Sequence, residues 1–433
     1  MTQEERSLKR QQDTKNAVTL LAGLASAVLV LIVLVVLGVS FLLKNDSEQV
    51  ANNQTETQTE IETQVQTETE TNEPETQEPL IDPLTEEAIA VVAGMTLEQK
   101  VAQMFIVTPD KLTGVNGATV VGNTTKRVYA EYPVGGLVFE KSNFKTKEQT
   151  KAMITALKEL SIQNVALPLF VGVEEEGGKA SIIASKSPID VDNIDNMSEI
   201  GATGDNVKAY EAGQTIGKYL NELGFNMDFA PVADVLSNAN NSAMAKRSFG
   251  SDSAVVGDMV CGVWDGLAEN SVIGVVKYFP GYGSTGGDGS EGAVSTERTL
   301  EELKAAEFVP FQLAIDTRAK FIMVGHVSVP NVTGSTIPSS LSEYMINQVL
   351  RTDMGFDGVV VTDSMSKKAI TASYDSAEAA VTAIAAGADM ILMPKDFKAA
   401  YEGVLEAVHN GTLTEERINA SMVRIVKAKL GMY

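Results

Sequence analysis

Residues able to attack, relay protons or hold hydroxyl groups recur at the ends of short apolar runs. Lys277 closes one such run, Val275-Val276-Lys277, just before Tyr278-Phe279-Pro280-Gly281, and Asp363 closes Val359-Val360-Val361-Thr362-Asp363. His326 follows a sixth run, Glu174-Glu175-Glu176 follow the third, and Asp228 and Asp234 flank the fourth. Arg247 lies between the fourth and fifth runs, in Arg247-Ser248-Phe249-Gly250. Carboxylates and cations gathered on one rim suit a polyhydroxylated ligand, whose hydroxyls need paired donors and acceptors. Taken one at a time, these residues could simply cap strand ends. A lysine such as Lys277 could also form a Schiff base, as in an aldolase-like barrel. There is no His–Cys cluster, and the Glu174–Glu176 run lacks the spacing of a ligand set, so neither a metal nor another cofactor is expected.

The elements that must position these residues follow a regular alternation. Apolar strands are expected at Met104–Val107, Gly136–Phe139, Leu169–Val173, Asn226–Ala230, Ile273–Tyr278, Phe321–Gly325, Val359–Thr362 and Met390–Met393. Helix-period segments fall between them, at Lys147–Leu160, Val207–Leu223, Ala254–Glu269, Leu300–Asp316, Ser342–Leu350 and Ala377–Ala386, with a closing helix at Glu415–Leu430. Eight strands alternating with helices predict an α/β fold, a (β/α)8 TIM-like barrel, whose active sites lie at the C-terminal strand ends. A doubly wound sheet would need a phosphate-cradling glycine turn after the first strand, and Thr108-Pro109-Asp110-Lys111-Leu112 is not one.

The chain has 433 residues, 44% of them hydrophobic, enough for a large core. A net charge of −23 argues against nucleic acid or an anionic lipid face as partner. The single cysteine, Cys261, excludes an intramolecular disulfide and is expected to be buried in a helix. Residues 1–16 carry four basic side chains, and residues 17–43 form an uncharged apolar run of 27. That run can span a bilayer core, which needs about 20 helical residues, and the basic flank places the N-terminus in the cytoplasm. Residues 44–84, rich in Thr, Glu and Gln, read as an acidic disordered linker, with ten acids and no lysine or arginine over 45–80. The barrel domain is then 85–433, held outside a cell membrane by a single-pass anchor.

Several motifs carry a resemblance. Gly355-Phe356-Asp357-Gly358 leads into the run that ends at Asp363-Ser364-Met365. Together with Lys277-Tyr278-Phe279-Pro280-Gly281, Phe229-Ala230-Pro231-Val232-Ala233-Asp234 and Arg247-Ser248-Phe249-Gly250, it resembles family 3 glycoside hydrolases. The nearest subgroup is the single-barrel β-N-acetylglucosaminidases (β-N-acetylhexosaminidases) that trim peptidoglycan fragments. The resemblance implies a retaining mechanism on terminal β-linked N-acetylglucosamine in cell-wall or related glycans, with Asp363 as nucleophile. It implies that Glu174, Lys277, Arg247, Tyr278 and His326 form the substrate-binding set, His326 also matching a structural position. Glu174 stands where the family has aspartate, and Lys179 where it has arginine. The subgroup's acid/base is a histidine two residues after an orienting aspartate. Here Asp288 matches the aspartate, but the histidine position holds Ser290. Glu291 is the nearest carboxyl that could stand in as acid/base. Other family members take the acid from a second domain, which is not expected from a sequence ending at Tyr433. If proton transfer is lost, the chain is instead a glycan-binding pseudoenzyme.

Overall fold

The structure, a computed structural model, describes residues 82–432. Eight short strands form its centre: β1 Phe105–Val107, β2 Gly136–Val138, β3 Phe170–Val173, β4 Met227–Asp228, β5 Ile273–Phe279, β6 Phe321–Val324, β7 Val359–Thr362 and β8 Ile391–Leu392. All eight pair in parallel in the order β8-β1-β2-β3-β4-β5-β6-β7. A parallel bridge from Val361 to Met390 joins the two ends of the sheet, so the ring is nearly closed. Each expected strand is present: the fourth loses three residues, the fifth gains Phe279, the seventh keeps its bounds, and the others are trimmed by a residue or two. Parallel strands covered on both faces need apolar side chains in succession, which is why such runs mark them without alternation.

Two of the covering helices differ in form from the expected segments, and Lys147–Leu160 runs on to Val165. Leu300–Asp316 divides into Leu300–Ala305 and Phe308–Asp316. Pro310 is the reason: inside a continuous helix its ring would clash with the carbonyl of Ala306, and Ala306 sits at the break with φ −135°. The break turns Glu307 inward, where it is buried and paired with Arg298 at 3.0 Å. Ser342–Leu350 becomes a helix over Tyr344–Asp353 wound in the wider π pattern. Cys261, on the helix Ser253–Glu269, is only half-buried, with its Sγ 3.7 Å from Thr317 Oγ1.

The fold begins earlier than Thr85. Asp82 caps the helix Pro83–Ala93, accepting from the Thr85 N–H at 3.1 Å, and Pro83 takes the first helical position. Asp82 also pairs with Lys427 at 2.9 Å, so 82–84 belong to the barrel rather than to the linker. The basic tail 1–16, the apolar run 17–43 and the rest of the linker lie outside the described residues. Among the described residues, no helix is long and apolar enough to cross a membrane.

Candidate active site

The C-terminal strand ends open into a cleft of about 1150 Å³. Its polar lining includes Glu174 and Glu176 beyond β3, Tyr278 from β5, Asp363 beyond β7, and Arg247, Asp288 and Lys367 from the connecting loops. Backbone alternation explains the first pair: Glu174 and Glu176 face the cleft while Glu175 points the other way. Glu175 is buried and accepts from the backbone N–H groups of Ile183 and Ala184 and from the Tyr219 hydroxyl, anchoring the loop beneath.

One ion-pair network ties three strand ends together. Arg247 grips Glu176 through two bonds, Nε to Oε2 at 2.6 Å and Nη2 to Oε1 at 2.7 Å. Lys277, with no exposed surface, reaches Glu176 at 2.5 Å and Glu174 at 3.1 Å. Burial alone would raise the Glu176 carboxyl, but Arg247 and Lys277 outweigh it and hold it well below the usual range. Tyr278 accepts from Arg247 Nη2 at 2.7 Å, and its ring lies against Lys277 and Lys367 at 5.0 and 5.2 Å. The β5–β6 register shifts between Lys277 and Phe279, where the consecutive side chains Lys277 and Tyr278 both reach the network.

Asp363 lies at the far side of this network and is 3% exposed. Its Oδ1 accepts from the Ser364 N–H at 2.7 Å, and its Oδ2 meets Lys367 Nζ at 2.7 Å. Burial would raise its pKa, but the charge of Lys367 and the Lys367 and Ser364 hydrogen bonds bring it below the ordinary carboxylate value. Asp363 is therefore an ionised carboxylate open to a cleft, which suits it to attack an electrophilic carbon.

The loop after β5 folds down beside Asp363. Gly281, at φ 120°, makes the turn, and a Cβ there would lie 2.6 Å from Glu307 Cγ. The Tyr282 N–H donates to buried Asp234 at 2.6 Å, the Gly289 N–H donates to the Tyr282 hydroxyl, and the Ala369 N–H donates to Gly289 O at 3.0 Å. Asp288 Oδ1 accepts from both the N–H and the hydroxyl of Ser290 at 2.8 Å. Burial raises Asp288, but the Ser290 bonds, then Lys367 and Arg247, leave it below its usual value.

Not every residue expected at the site reaches it. Glu174, Arg247, Tyr278, Asp288 and Asp363 line the cleft, and Lys277 supports them from behind. Glu291 stands exposed on the turn that follows Asp288 and is not part of the lining. His326 is 1% exposed and also lies outside the lining. Its Nε2 lies 3.0 Å from the Ser364 carbonyl and its Nδ1 2.7 Å from the Ser340 hydroxyl. A carbonyl only accepts, so Nε2 carries the proton and Nδ1 accepts from Ser340. His326 thus holds the backbone next to Asp363. Glu176 was read only as one of a run of three glutamates, and the lining residues that escaped the sequence reading include Glu140 and Lys367. The latter had a signal, an acid followed four residues later by a lysine. Among the described residues, no group of three or more His, Cys, Asp or Glu could hold a metal.

A barrel with an ionised carboxylate at one strand end and ion pairs at its neighbours is compatible with glycosidase chemistry. The model of the glycosyl hydrolase family 3 N-terminal domain matches residues 96–428, and the chain belongs to that family. It is 31% identical to the β-hexosaminidase LpqI of Mycobacterium tuberculosis over 79% of this chain and 85% of that protein. Identity to β-hexosaminidase A of Pseudoalteromonas piscicida is 29% over 69% of this chain, though the match spans only 54% of that longer protein. A solved family 3 β-N-acetylglucosaminidase from a Paenibacillus superposes with a TM-score of 0.72 at 32% identity, covering 78% of this chain and 63% of that one.

Proposed function

We propose that the protein is a membrane-anchored retaining glycosidase that removes terminal β-linked N-acetylglucosamine-type sugars from cell-wall or related glycans outside the cell. The observation that carries this reading is Asp363: buried, ionised and open to a cleft lined by Glu174, Glu176 and Arg247. In the first step an Asp363 oxygen bonds to the anomeric carbon as the glycosidic C–O bond breaks, its electron pair leaving with the aglycone oxygen. In the second, water displaces Asp363 and releases the free sugar. The relatives named as β-hexosaminidases support the choice of sugar. The apolar run 17–43 with its basic flank supports the anchor.

Proton transfer is the weak point of this site. A serine hydroxyl delivers no proton near neutral pH, so Ser290 is no replacement for a histidine. Asp288 and Glu176 are held ionised. The Glu140 carboxyl, also in the lining and just beyond β2, is raised by desolvation and then by Asp110 and Glu174. Glycosides that need little protonation of the leaving group are therefore the favoured substrates. The Ser290 substitution equally favours a second reading, a glycan-binding protein with little turnover. Release of nitrophenol from an aryl N-acetyl-β-glucosaminide, lost in Asp363→Asn, supports the enzyme. Calorimetric binding of N-acetylglucosamine fragments without any release supports the binder.

A further inference from the structure

Lys367 places a cation directly on the group proposed to attack. Its Nζ donates to Asp363 Oδ2 at 2.7 Å and lies 5.2 Å from the centre of the Tyr278 ring, with a quarter of the side chain (26%) exposed in the cleft. Burial would lower its pKa, but Asp363 raises it far above the ordinary lysine value, so the charge is fixed. An ammonium has three N–H donors. Among the described residues Asp363 is the only hydrogen-bond acceptor of this one, which leaves donor capacity at the cleft. The two cations that share its network across the Tyr278 ring, Arg247 and Lys277, are already matched by Glu174 and Glu176.

This cation limits how a sugar can lie. At the moment of attack the carboxylate oxygen and the anomeric carbon are about 3 Å apart. The anomeric carbon has two ring neighbours, the ring oxygen and C2. Positive charge builds on the anomeric carbon and the ring oxygen in the oxocarbenium-like transition state. An ammonium beside the ring oxygen opposes that charge, so the productive pose turns C2 and its substituent toward Lys367. We propose that Lys367 is a specificity-determining residue that reads the C2 substituent of the sugar, favouring one that offers an acceptor oxygen and refusing a protonated amine. An acetamido carbonyl supplies that acceptor. A glucosaminide ammonium in the same place meets like charge and leaves the lysine donors unfilled. The assignment rests on Asp363 being the glycosidic nucleophile.

The test compares three 4-nitrophenyl β-glycosides differing only at C2 (acetamido, hydroxyl and free amine), below the amine's pKa. The full chain is assayed beside Lys367→Met and Lys367→Arg, with melting temperatures confirming that each variant folds. The wild type is expected to prefer the acetamido sugar over the amine. In Lys367→Met the ratio of the two kcat/KM values falls by about tenfold or more, the loss of one charged hydrogen bond, while Lys367→Arg keeps the preference. An unchanged ratio in Lys367→Met, or an equal fall on all three sugars, overturns the assignment and leaves Asp363 as nucleophile. No turnover of any sugar by any of the three folded proteins overturns the glycosidase reading, and with it the role of Lys367.

Discussion

Asp363 keeps its negative charge in a buried position because a backbone N–H and a cation meet its two oxygens. Replacing it with asparagine keeps the shape and removes the attacking oxygen, so Asp363→Asn is expected to lower kcat/KM on an aryl N-acetyl-β-glucosaminide by at least about a thousandfold. The lowered pKa also sets a pH dependence. A nucleophile must be ionised, so the acid limb of kcat/KM falls below the usual carboxylate range, and activity persists into acid. Removing the cation in Lys367→Met returns Asp363 toward or above its ordinary value, and the acid limb moves to higher pH. A pH–rate profile of both proteins checks the sign: a limb that moves down or stays fixed contradicts the account. The network of Glu176, Arg247 and Lys277 gains its strength from burial, where removing one partner strands a charge. None of these pairings was visible in the sequence, because side chains 71 to 103 positions apart meet only once the barrel is closed. The strand-end positions themselves were legible, since a polar residue closing an apolar run is conspicuous.

At the scale of the element, the loop after β5 decides how well the site can move protons. It is pinned at Tyr282 by Asp234 and at Gly289 by Ala369, so residue 290 is presented beside Asp288 in a fixed turn. Ser290→His therefore places an imidazole next to an aspartate that can orient it. Turnover of alkyl glycosides, whose leaving groups need a proton, is expected to rise by at least about tenfold, against the 10²–10⁴ typical of general acid catalysis. Asp234 provides a second check on this loop. Burial lifts its carboxyl to about 7, despite the Tyr282 N–H and the charge of Arg247. The folded state then binds a proton that the unfolded state has already lost, so this residue's contribution to stability falls as pH rises from about 4 to 7. Asp234→Asn is expected to flatten the decline in melting temperature over that window; an unchanged slope contradicts the assignment. The sequence carried the strands well and the helix interruptions poorly. Pro310 was the available signal for the break at Ala306, but an otherwise continuous helical period concealed it.

Among the described residues, a buried carboxylate ties the seam of the ring beside the Val361–Met390 bridge. Asp389 pairs with Arg351 at 2.5 Å and Arg424 at 3.3 Å, and accepts from Ser421 at 2.6 Å and the Val360 N–H at 2.9 Å. It thus links β7 to the helix Tyr344–Asp353 and to the closing helix Glu415–Leu430. Asp389→Ala strands buried Arg351 and the Val360 N–H, and is expected to cost about 3–5 kcal/mol in denaturant unfolding. A loss within about 0.5 kcal/mol, the range of ordinary surface changes, would show that the seam does not depend on it. Barrel architecture was readable because eight apolar runs alternate with helical periods, while the seam was not, because Asp389 resembles any acid before a short strand. The central claim concerns Asp363, and a covalent trap tests it most directly. The full chain is incubated with an N-acetylglucosaminyl fluoride slowed by a ring fluorine, and the digest is read by mass spectrometry. The account predicts one glycosyl adduct, on the peptide and residue of Asp363, absent from Asp363→Asn. An intact, folded protein that carries no adduct, or carries it on another carboxylate, would contradict it.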